Sequence, residues 1–93
     1  MIRSYRNSVT KAVAGGRAPK GFPADILKRA LNKLTILEYA NELDDLRSPP
    51  GNRLEKLSGD REGQHSIRIN DQWRICFFWN KAGPEHVEIT DYH

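Results

Sequence analysis

A chain of 93 residues, 38% hydrophobic and 29% charged, has the balance of one small folded domain spanning residues 1–93, not of a disordered or membrane-embedded polypeptide. No apolar run approaches the ~18 residues of a membrane helix, and the opening Met-Ile-Arg-Ser-Tyr-Arg has no apolar core of the signal-peptide kind. A single cysteine, Cys76, excludes an internal disulfide and a multi-cysteine metal site, and a cytoplasmic location is expected. The net charge of +3 is unevenly spread: residues 1–33 hold eight Lys or Arg against the single acid Asp25, while residues 34–50 hold Arg47 against Glu38, Glu42, Asp44 and Asp45. A basic half beside an acidic patch suits a polyanion on one side and a different contact on the other.

Residues 1–5 alternate in polarity and read as a first strand. Asn7 or Ser8 can cap a short helix over residues 9–14, which Gly15-Gly16 ends. Pro23 and Asp25 mark the next helix start, and Leu27, Ala30, Leu31, Leu34 and Leu37 recur at spacings of three and four. Helical character continues past a break near Asn41 to Leu46, until Ser48-Pro49-Pro50-Gly51 stops it. Residues 53–58 read as a strand followed by a Gly59-Asp60 turn, and residues 86–92 alternate again as the last strand. The expected architecture is an α+β fold, with an antiparallel four-strand run and helices packed on one of its faces.

Between those strands, residues 66–79 carry two period-two apolar runs separated by turn-formers, which is the signal of an antiparallel hairpin. A three-residue loop, Asn70-Asp71-Gln72, sets Ile69 opposite Trp73, Ile67 opposite Ile75 and His65 opposite Phe77. A two-residue loop would mix apolar with charged residues on both faces, so the pattern selects the longer one. That register puts Arg68 across from Arg74, with Cβ atoms roughly 5 Å apart. Either nearby carboxylates such as Glu88 neutralise the two, or both reach solvent, or they form a cradle for phosphate. Parity continued into the last strand pairs Val87 with Trp79 and Ile89 with Phe77, leaving residues 81–85 as the loop. Tyr92 then lies opposite Arg74, with His93 just beyond and Asp91 two positions behind. Lys56, on the preceding strand, is expected to face the same way, and Arg53 and Arg61 add cations for phosphate binding.

The histidines His65, His86 and His93 lack metal-ligand spacing, and no nucleophile elbow or phosphate-cradling glycine loop is present. No metal and no cofactor are expected. Cys76 is expected to pack inertly on its strand. Metal-free RNA cleavage suits the residues available, because the 2′-hydroxyl of RNA supplies the nucleophile. The protein then needs only positive charge on the phosphate, from Arg74 and Arg68, and groups that move protons. His93 can serve as such a group, and Tyr92 can stack on a base or assist proton transfer.

Gly-Asp-Arg-Glu-Gly at 59–63, Ser-Ile-Arg-Ile-Asn-Asp-Gln-Trp-Arg-Ile-Cys-Phe at 66–77, the terminal Asp-Tyr-His at 91–93 and Pro-Pro-Gly-Asn-Arg-Leu at 49–54 together resemble the HigB toxins of the RelE/ParE superfamily. The resemblance implies a microbial-RNase-like fold and a ribosome-dependent endonuclease that cuts mRNA. It also implies inhibition by a helix-turn-helix antitoxin of the HigA type, with operator DNA bound only through the toxin–antitoxin complex. Carried over residue by residue, it assigns catalysis to Arg74, Asp91, Tyr92 and His93. One departure stands out: some members carry His and Lys in the strand before Gly-Asp, where this chain has Glu55 and Ser58, with Lys56 as the available positive charge. A ParE-like toxin that poisons a topoisomerase without nuclease chemistry is the alternative, as is an RNA-binding module without turnover.

Overall fold

In the computed structural model, which describes residues 1–91, two helices and a four-stranded sheet form in the order the patterning predicts. Helix α1 (Ser8–Ala14) is capped by Asn7, whose Oδ1 accepts from the Thr10 N–H at 2.9 Å. Pro23 leads into a single 3₁₀ turn and then α2 (Leu27–Tyr39), which buries Ala30, Leu34 and Leu37. The break near Asn41 is real: the N–H groups of Asn41 and Glu42 both donate to Asp45 Oδ2 at 3.0 Å. They start a 3₁₀ turn, Leu43–Arg47, that buries Leu46.

The sheet runs β1 (Glu55–Lys56), β2 (Gln64–Arg68), β3 (Trp73–Asn80) and β4 (Gly83–Asp91), each antiparallel to the next. Between β2 and β3 the pairs are Arg68 with Arg74, Ile67 with Ile75 and His65 with Phe77, the register that the apolar alternation selects. Asn70 Oδ1 shapes the loop by accepting from the Gln72 and Trp73 N–H groups at 2.8 and 2.7 Å. Ile67, Ile75, Phe77 and Val87 point to the helices and pack with Val13, Ala30, Leu34 and Leu37 in one cluster. The helices therefore lie on one face and leave the other to polar side chains.

Two expectations are corrected. In β4, Arg74 pairs with Thr90 and Ile75 with Ile89, so the strand sits two residues away from the predicted pairing of Arg74 with Tyr92. The loop is not residues 81–85 but the two-residue turn Lys81-Ala82, closed by Asn80 facing Gly83. A shift of two preserves parity, so alternation cannot detect it; turn length and a bulge decide the pairing instead. The bulge lies in β4, where His86, with φ 52°, and Val87 together face the single residue Phe77. The second correction concerns residues 1–5, which form no strand but meet β4 through one parallel bridge, Tyr5 with Val87. Their partner is the bulged part of β4, where a regular ladder cannot run. Beyond the bulge, the buried Thr10 Oγ1 accepts from the Ile89 N–H at 3.0 Å, so α1 covers this edge.

Candidate active site

On the face away from the helices, Arg74 is only 8% exposed. A buried guanidinium must find partners, and this one finds neutral ones. Nε donates to Ser66 Oγ at 2.8 Å, and Nη2 donates to the Arg53 carbonyl at 2.8 Å. Nη1 has no hydrogen-bond partner among the described residues. Among the described residues the nearest carboxylate oxygen, Glu55 Oε1, lies 4.0 Å from Nη2. Arg74 is thus held in place while part of its donor fork remains available to an anion.

The Arg53 carbonyl reaches Arg74 because Arg53 takes a left-handed conformation, φ 45° and ψ 57°, after the 3₁₀ turn Pro50–Asn52. Asn52, fully buried, anchors that turn. Its Nδ2 donates to the Leu46 and Ser48 carbonyls at 3.1 and 3.2 Å, and its Oδ1 accepts from Lys33 Nζ at 2.6 Å. Burial, and then the positive charges of Arg29 and Arg68, lower the pKa of Lys33.

The opposed arginines are not neutralised by one shared carboxylate. Arg68, with its side chain 30% exposed, donates to Asp71 in the hairpin loop. Glu88, named as a possible neutraliser of the pair, instead accepts from Arg61 Nη1 at 3.0 Å and lies 3.6 Å from Arg6 Nε. Arg61 also donates to Gln64 Oε1 at 3.3 Å, so it lies over the same face as Arg74. Arg68, Arg74 and Arg61 therefore gather on this face, together with the backbone of Arg53. Its neighbour Cys76 is fully buried, and burial pushes its thiol up, which keeps it protonated and inert.

Other candidates fall elsewhere. Lys56 pairs with His65 and so shares the helix-side face, not that of Arg74. Asp91 lies opposite Trp73 and accepts from Gln72 Nε2 at 3.0 Å, one register position away from Thr90 and Arg74. Tyr92 and His93 lie outside the described residues. Among the described residues no three His, Cys, Asp or Glu side chains gather as a metal site requires.

Sequence reasoning missed Ser66 and the Arg53 carbonyl. Ser66 pairs with Cys76, a diagonal neighbour of Arg74 on the same face, so the hairpin register contained that signal. A main-chain acceptor set by a left-handed residue has no such signature in side-chain pattern.

Residues 9–93 match the family of HigB-like toxins, described as the RelE-like toxin of the type II toxin-antitoxin system HigB. Over 93 residues, the whole of both chains, the protein is 30% identical to Endoribonuclease HigB of Proteus vulgaris. It is 47% identical over 57 residues to Toxin HigB-1 of Vibrio cholerae serotype O1, a match covering 61% of this chain and 60% of that one. A further relative, an uncharacterized protein of Haemophilus influenzae, is 36% identical over 73 residues, 76% of this chain and 72% of the other. With a family model covering nearly its whole length and a full-length relative alongside, the chain belongs to the HigB-like toxins, the RelE-like toxins of type II toxin-antitoxin systems.

Proposed function

We propose that this toxin is a metal-independent endoribonuclease that cuts mRNA on the ribosome and thereby stops translation. The observation that carries the reading is Arg74: a buried guanidinium held by Ser66 and a backbone carbonyl, with Nη1 left to bind a phosphate oxygen. A cation fixed before substrate arrives stabilises charge that builds on the phosphate as the 2′-oxygen attacks. Arg68 and Arg61 extend the positive surface along the RNA backbone, with Arg53 as a further phosphate contact, while Lys56, on the opposite face, has no part in it. Asp91, Tyr92 and His93 are proposed for orientation and proton transfer, on the strength of the family likeness. The name of the full-length Proteus relative supports the same chemistry. The type II family implies an antitoxin partner. We take it to be a helix-turn-helix protein of the HigA kind that carries the complex to operator DNA. Among the described residues no helix is long and apolar enough to cross a membrane, and a cytoplasmic site of action fits a ribosomal target.

The test is a purified translation system with the toxin added and mRNA 5′ ends mapped. Codon-phased cuts are expected, with Arg74→Ala lowering their rate about 10²–10³-fold, the usual effect of losing one such donor. Intact mRNA with trapped gyrase would instead support a topoisomerase poison.

A further inference from the structure

We propose that Glu55 is the general base of this toxin, the group that takes the proton from the attacking 2′-hydroxyl. The proposal rests on the endoribonuclease reading and deepens it. Glu55 is paired with Ser66 across β1 and β2, and Ser66 Oγ meets Arg74 Nε, so all three residues share one face. The Glu55 carboxylate reaches to 4.0 Å from Arg74 Nη2 while its side chain stays 53% exposed. It is thus beyond a direct hydrogen bond but beside any phosphate that the guanidinium holds. In RNA the 2′-hydroxyl sits on the carbon next to the one bearing the 3′-phosphate ester, so a base for it must lie close to that phosphate.

Three other carboxylates near this end of the sheet are engaged elsewhere. Glu88, only 16% exposed, faces Arg61 and Arg6. Asp71 is taken by Arg68, and Asp91 lies across from Trp73. A carboxylate is a competent general base when it is within hydrogen-bond reach of the proton to be moved.

In the step, a Glu55 carboxylate oxygen takes the 2′-hydroxyl proton, and the freed electron pair forms the O2′–P bond. The P–O5′ bond breaks with its pair on O5′, which takes a proton from water. A 2′,3′-cyclic phosphate and a 5′-hydroxyl result, with no redox change. Glu55 then returns its proton to water.

The experiment measures single-turnover cleavage of mRNA on programmed ribosomes between about pH 6 and 8, for wild type, Glu55→Gln and Glu55→His. Glu55→Gln keeps the shape and the melting temperature but should cleave about 10²–10⁴-fold more slowly. Glu55→His should recover part of that loss and acquire an acid limb near 6.5, where imidazole titrates, that the wild type lacks. Glu55→Gln cutting within threefold of wild type would overturn the proposal, as would Glu55→His that neither recovers rate nor gains the limb, since that marks a positional role only. Wild type that leaves mRNA intact would remove the endoribonuclease reading and this assignment together, which separates the two failures.

Discussion

On the helix side of the sheet, Ile67, Ile75, Phe77 and Val87 have no exposed surface; on the other side, Ser66 and Cys76 are covered just as completely and Arg74 nearly so. Equal burial has opposite energetic meaning on the two faces. Covering aliphatic and aromatic groups stabilises the fold by roughly 25 cal/mol per Å² removed from water. Covering a guanidinium does the reverse unless its hydrogen bonds are replaced, and here they are replaced mainly by a hydroxyl and carbonyl oxygens. One face holds the molecule together while the other holds a charge in position.

If that division is right, substitutions on the two faces should separate stability from cleavage. Phe77→Ala, in the centre of the helix-side face, should lower the unfolding free energy by about 3–5 kcal/mol, measured by denaturant titration. Ser66→Ala removes the acceptor of Arg74 Nε and should lower the stability by about 1–3 kcal/mol. Its cleavage rate should fall more conspicuously, about ten- to a hundredfold, because the guanidinium loses its aim. A Ser66 variant that unfolds easily yet cuts normally would erase the distinction between the faces. The smallest effect concerns His65, which stacks on Phe77 with ring centroids 6.4 Å apart. Burial first, then Lys56 and Arg47, holds its pKa below the ordinary value, so it is neutral in the fold. The unfolded chain gains the proton as pH drops through about 6.5, so stability is full above that pH and declines below it. His65→Phe should flatten this decline in melting temperature between pH 7 and 5.

Much of the helix-side face was legible in the sequence. Leu34 and Leu37 repeat at helical spacing, and Ile67, Ile75 and Phe77 alternate so strictly that a single register fits β2 and β3. Arg74 opposite Arg68 followed directly. The end of the chain was harder, because alternation fixes which side a residue faces but not how far a strand has slid by two. A short turn at Lys81-Ala82 and a bulge opposite Phe77 settled that, and no period announces either. Lys56 resisted for a related reason: β1 is two residues long, too brief for alternation to declare its sides. The acceptors of Arg74 divide the same way, with Ser66 recoverable from the hairpin and the Arg53 oxygen not.

That oxygen has a further consequence. Any side chain placed at 53 brings the same carbonyl with it, so point replacement cannot delete this support; it can only reshape the bend that aims it. The bend is the vulnerable part, because φ 45° is tolerated by glycine and asparagine and resisted by branched residues such as valine. Variation at this position would therefore act like an adjusting screw on the guanidinium, altering its angle by degrees without ever unfastening it.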